Sequence, residues 1–149
     1  MKYLLMLVVA GIGAVLPLQA LINARLGQAT SGAMFAAAVS FLVGTASLAL
    51  LLVLMRPPLP GADQLGRLPP WIWLGGVIGA AYVAIATITV PRLGASALIA
   101  LTVLGQLAGA LVLDHFGVLH APQAATPVRI AGAVLILVGA LMIVQPWKN

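Results

Sequence analysis

Five times along this chain an apolar run of about twenty residues is broken by a charge or a proline. Roughly twenty residues, at 1.5 Å of helical rise each, are what a segment needs to cross the hydrocarbon core of a bilayer. The runs fall at about residues 3–23, 32–54, 71–90, 96–113 and 127–144. Backbone N–H and C=O groups find no water in lipid, so each run has to satisfy them internally as a helix. The expected fold is therefore all-α: a polytopic membrane protein of five transmembrane helices, forming a single domain over residues 1–149. Arg56, Pro57, Pro58 and Pro60 stop the second run, Pro91 and Arg92 the third, and Asp114 the fourth. Pro146, Trp147 and Lys148 stand at the exit of the fifth. Ser31 is the expected N-cap of the second helix, with Thr126 and Pro127 as N-cap and first residue of the fifth.

The alternative, a soluble domain, fails on composition. Charged residues make up 6% of the chain and hydrophobic ones 63%, whereas a water-facing surface brings the charged share to about a quarter. The lipid bilayer is thus the first partner. The seven basic residues are scattered singly, not gathered on the one face that phosphate tracking requires, so nucleic acid is no partner. Trp71, Trp73, Trp147 and Tyr3 sit at run ends, where an aromatic belt at headgroup level places them.

The same inventory argues against an enzyme. Cysteine and glutamate are absent, and the only acids are Asp63 and Asp114. That leaves no thiolate and no plausible carboxylate pair or nucleophile–base set. His115 and His120 are five apart, which is not a helical metal pair, and no set of ligands completes a site around them. Neither a metal nor a cofactor is expected.

The opening run carries an amino-terminal lysine and ends in PLQALINARLG, residues 17–27. Its apolar stretch exceeds the 7 to 15 residues or so of a signal-peptide core, so it is expected to stay in the mature bundle. Small residues at four-residue spacing mark helix-contact faces: Ala36, Ser40 and Gly44, then Gly75 and Gly79, then Gly105 and Gly109. Lipid gives little hydrophobic drive between helices, so close backbone approach has to hold a bundle together.

Five spans place Lys2, Arg56, Arg67 and Arg129 on one side of the membrane and Arg25, Arg92 and Lys148 on the other, four against three. Orientation follows the basic-residue difference between sides. Two readings follow: one orientation set by a weak bias, or insertion both ways and antiparallel pairing of copies. Two inverted five-helix copies would reproduce the inverted repeat of many transporters, whose site lies at the repeat interface.

Polar residues within the runs are the candidate site. Gln19 and Asn23 are four apart and share a helix face. Pro17 loosens the helix one turn earlier and frees the carbonyl of Gly13. Gln19, Tyr82 and Thr102 lie at similar depth, with Gln106 about 6 Å deeper than Thr102 at 1.5 Å per residue. Such groups face the bundle or a water-filled cavity. They serve as interhelical hydrogen bonds or as the lining of a cavity for a small polar or amphipathic solute; Asn23, nearer the interface, suits the cap of its own helix equally well. Gln19, Asn23, Tyr82 and Gln106 are the candidate substrate-binding residues. Asp114 and Arg129 lie on one side of the membrane and are the candidate ion pair, gate or coupling group.

The pattern as a whole resembles the YdcZ-type inner-membrane exporters, a half-length branch of the drug/metabolite transporter superfamily. The matching residues are Pro17, Gln19, Asn23, Leu26 and Gly27; Ser40, Phe41 and Gly44; and Trp73, Gly75, Gly76 and Gly79. PRLGA at 91–95, GQL at 105–107, DHFG at 114–117 and the pair Arg129 and Gly132 complete it. The resemblance implies a multi-pass protein of the bacterial inner (plasma) membrane with a half-transporter-like bundle. It also implies outward transport of small metabolites or xenobiotics by alternating access. One chain would be half of a transporter, completed by a second copy as an antiparallel homodimer or by a paralogue as a heterodimer. The small multidrug resistance cousins use a first-helix glutamate to exchange protons for cations; this chain has none. A function of another class, a non-transporting scaffold or accessory subunit of a heteromeric complex, suits the apolar faces equally well.

Overall fold

The computed structural model describes residues 1–147. Lys148, placed above at the exit of the last run, lies outside the described residues. In chain order the elements are α1 (Lys2–Ala29), α2 (Ala33–Met55), the five-residue α3 (Ala62–Gly66), a 3-10 turn (Pro70–Trp73), α4 (Leu74–Leu93), α5 (Ala95–Phe116) and α6 (Pro127–Val144). No strand occurs among the described residues. Five helices are long and apolar enough to cross a membrane, the third of them being α4 together with its leading 3-10 turn. The fold is all-α and polytopic, as expected.

The helices run past several of the expected ends. α1 continues through Pro17 and past Asn23 and Arg25 to Ala29. Proline inside a membrane helix is tolerated because the helix keeps its other bonds and neighbouring groups satisfy the one carbonyl set free. At its end the Thr30 hydroxyl donates to the Leu26 carbonyl at 2.6 Å. The turn into α2 closes on Gly32, whose φ of +103° is costly for any side chain but glycine's. Gly32, and not Ser31, is accordingly the N-cap, and no side chain caps this helix. α4 absorbs Pro91 and Arg92, leaving Gly94 (φ +80°) as the single residue between α4 and α5. Thr126 does cap α6, its hydroxyl accepting the Arg129 amide at 3.4 Å, with Pro127 at the first helical position.

The chain forms two compact units, Met1–Pro91 and Arg92–Asn149. The core of the first is built from small side chains: Ala20 and Ala24 on α1, Ala36 and Ala37 on α2, Ala84 and Ala86 on α4, with Val90. Small residues allow helices to approach closely, which is what association in lipid depends on. Gly27 shows how tight this becomes, since a Cβ there would lie 3.2 Å from the backbone of Ala33. Of the expected small-residue stripes, Ala36 is fully buried and Gly79 faces the Phe41 ring, a Cβ there reaching it at 3.6 Å. Gly75, Gly105 and Gly109 meet no described atom within 4 Å. In the second unit α5 packs on α6, with Ala97, Leu98 and Ala140 buried. Large apolar side chains point outward along every span, the arrangement expected where the solvent is hydrocarbon.

Candidate functional site

Two hollows in the first unit share Gln19 and Val83 as a common wall. The smaller lies between α1 and α4, and its water-accessible volume is ≈ 20 Å³. α1 contributes Leu16, Gln19, Ala20 and Asn23, which helical periodicity brings to one face; α4 contributes Tyr82 and Ala86, then Val83 and Thr87, each pair four residues apart. Asn23 is only 4% exposed and Thr87 only 2%. The Thr87 hydroxyl donates to the Val83 carbonyl at 2.7 Å and keeps its lone pairs free. No side-chain hydrogen bond of Gln19, Asn23 or Tyr82 occurs within the described residues. Yet no fully enclosed side-chain nitrogen or oxygen among them lacks a partner. Together these facts mean that the Asn23 amide is not fully enclosed, and Asn23 is one of the residues lining the hollow.

Of the two readings of Asn23, the helix-cap alternative is removed by the length of α1. Six residues of helix follow it, so its amide sits inside the helix and serves the α4 side.

The larger hollow is an open groove of ≈ 210 Å³. Beyond the shared wall it is lined by α2 alone, through Ser40, Phe41, Gly44, Thr45 and Leu48. Its apolar lining comes from Phe41, Leu48 and Val83, and its polar lining from the Gln19 amide and the hydroxyls of Ser40 and Thr45. Neither hollow is lined by a charged side chain.

A second cluster lies where α5 turns into α6. Gly117 ends α5 in the left-handed conformation, and the Asp114 carbonyl accepts amides from Gly117 at 3.2 Å and Gln123 at 2.7 Å. The Asp114 carboxylate meets Arg129 Nη1 at 3.6 Å through one oxygen and His120 Nε2 at 3.2 Å through the other. The other Arg129 amine donates to Gln123 Oε1 at 2.8 Å. His120 Nδ1 lies 2.8 Å from the Ala121 carbonyl, so both ring nitrogens face oxygens. Behind the cluster, α5 and α6 leave an apolar hollow of ≈ 390 Å³ whose only charged lining residues are Asp114 and Arg129.

The candidate residues thus divide. Gln19, Asn23 and Tyr82 come together around one hollow, and Asp114 and Arg129 pair as the loop between them allows. Gln106 is exposed on α5 and lines none of the hollows described. Thr87, Ser40 and Thr45 line these hollows and His120 joins the Asp114 cluster, none of them among the candidate site residues that the sequence marks. The one available signal for Ser40 is its spacing to Gly44 and Thr45 on α2.

Comparison with known proteins agrees with this architecture. A family model described as "Putative inner membrane exporter, YdcZ" matches residues 3–142. The chain is 29% identical over 139 residues to "Inner membrane protein YdcZ" of Escherichia coli (strain K12), covering 93% of this chain and 92% of that protein. No solved structure matches. With the family pattern running from the first span into the last, this chain belongs to the YdcZ family, as a multi-pass protein of the inner membrane.

Proposed function

We propose that this protein exports small metabolites or xenobiotics by alternating access, as an antiparallel dimer of five-helix subunits in which residues 1–149 act as one half-transporter. The observation that carries the reading is the pair of uncharged, largely apolar hollows into which Gln19 brings an amide, set within helices whose outer faces are otherwise apolar. Polar groups at membrane depth are rare and expensive, and they mark solute pathways when they line a cavity. Gln19, Asn23 and Tyr82 form the solute site of one subunit, Gln19 touching the solute while Asn23 and Tyr82 support it from the adjoining hollow, and Gln106, exposed on α5, meets the solute from the opposed subunit. Asp114 and Arg129 act as the gate, since they tie the end of one span to the start of the next. The four-to-three division of basic residues supports insertion in both orientations.

Two measurements test this. Tags on each terminus, read from both faces of intact cells, are expected to be found on both; one strict orientation removes the antiparallel homodimer. Reconstituted into liposomes, the protein is expected to give solute flux that falls in a Gln19→Leu/Tyr82→Phe variant. Absence of flux across a broad solute panel would leave the scaffold function in its place.

A further inference from the structure

We propose that the Gln19 site is selective for uncharged solutes of about one ring in size, and that a single bound water links Gln19 to Asn23 and Thr87 behind the solute. The inference rests on the reading of the two hollows as the solute site and adds the class of solute and the division of labour between them.

Size separates the two hollows. A water needs roughly 10–15 Å³ of accessible volume and two to four polar partners. The α1–α4 hollow offers ≈ 20 Å³ and four polar side chains, Gln19, Asn23, Tyr82 and Thr87. It holds a water and nothing larger. The groove offers ≈ 210 Å³, and a dry cavity of about 150 Å³ already accepts benzene. A ring with one substituent fits it, and Gln19, standing in both walls, is the amide it meets. Asn23 is too far enclosed to touch that solute. It acts through the water, holding the Gln19 amide in place, and is a positioning residue.

Charge sets the class. An ion leaving water for a site at membrane depth needs a counter-charge or a metal to replace its hydration. Neither hollow is lined by Lys, Arg, His, Asp or Glu. Amide and hydroxyl groups both donate and accept, which serves a neutral amide, alcohol or lactam and leaves a carboxylate or an ammonium group uncompensated. The Phe41 ring and Leu48 supply the apolar face for the ring itself.

Three probes of nearly one shape carry the test: benzamide, benzoate and benzamidinium. Binding to the full chain in lipid nanodiscs is read by calorimetry. Benzamide is expected to bind the wild type at least about tenfold more tightly than either ion, and Gln19→Leu to weaken it by about tenfold, as loss of one buried hydrogen-bonding partner does. Gln19→Glu is expected to turn the preference toward benzamidinium, which a merely misfolded variant would not do. Equal or tighter binding of either ion by the wild type, failure of all three to bind, or unchanged selectivity in Gln19→Glu would overturn the solute class. For the water, a high-resolution structure in nanodiscs is expected to show density for one water within hydrogen-bond distance of Gln19, Asn23 and Thr87 in the wild type, and none in Asn23→Leu. A wild-type hollow without that density overturns the bridging water. Protein-dependent flux is measured separately in liposomes. Benzamide selectivity without flux upholds this inference and removes transport; flux of an ion through Gln19 upholds transport and overturns the inference.

Discussion

Gly117 closes α5 with φ +64° and ψ 37°, a conformation that costs any residue bearing a Cβ about 1–2 kcal/mol. Space forbids the substitution as well: a Cβ there would stand 2.6 Å from Pro122 Cγ and 2.9 Å from its nitrogen. Gly117→Ala is therefore expected to destabilise the protein by at least about 1–2 kcal/mol, measured as a lowered midpoint of thermal unfolding in detergent. Gly105→Ala is the control, because its Cβ meets no described atom within 4 Å, and a midpoint within about 0.5 kcal/mol of wild type is expected. At this scale the sequence was informative wherever a residue's chemistry contradicted its surroundings. An amide or a phenol in an apolar run has few explanations, so Gln19, Asn23 and Tyr82 stood out. Thr87 did not, because a hydroxyl can bond the carbonyl of its own helix one turn back, as Thr87, Thr89 and Ser47 all do. A threonine in a membrane helix therefore looks the same whether or not it lines a hollow.

Helix ends obey a different rule from membrane edges, and the elements show it. Hydropathy places the edge of an apolar run where a charge first appears, near Arg25, Arg92 and Asp114. A helix is indifferent to a charge at headgroup level and continues until its backbone is broken. Here Gly32, Gly94 and Gly117, all with positive φ, mark the turns that follow, and α1, α4 and α5 run to Ala29, Leu93 and Phe116. The existence of five spans was legible from the apolar runs; where they end depended on glycines whose φ no hydropathy pattern reports. The α5–α6 turn follows from this extension, since the last turn of α5 brings Asp114 back over Gln123, His120 and Arg129. Asp114 and Arg129 are each about a third or more exposed, and partly exposed ion pairs contribute roughly 0–1 kcal/mol. Asp114→Asn, which keeps the backbone acceptor for Gly117 and Gln123, is expected to cost less than about 1 kcal/mol of stability. If the pair is the gate, flux in liposomes falls by much more than the unfolding midpoint suggests. Flux equal to wild type in Asp114→Asn would take the pair out of the transport cycle.

For the molecule as a whole, the family match runs over residues 3–142, from the first span into the last, so it rests on residues distributed along the chain and on no single motif. The multi-pass fold could be read from the sequence for the same reason. The proposed antiparallel pairing has no comparable signal, since the sequence bears on it only through a near-tie between two small charge counts, four against three. The uncharged lining around Gln19 has an electrical consequence. Moving one elementary charge across 100 mV involves about 2.3 kcal/mol, which is how a membrane potential drives or opposes an ion carrier. A neutral solute held by amides and hydroxyls carries no such charge, so its step across is electrically silent. Efflux from liposomes should then keep the same rate when a potassium gradient and valinomycin set the interior at −100 mV or +100 mV, and should follow the solute gradient alone. If the proposed neutral solute crosses without a coupled ion, membrane voltage neither drives nor opposes its passage. Net movement then stops when the solute is equally concentrated on the two sides.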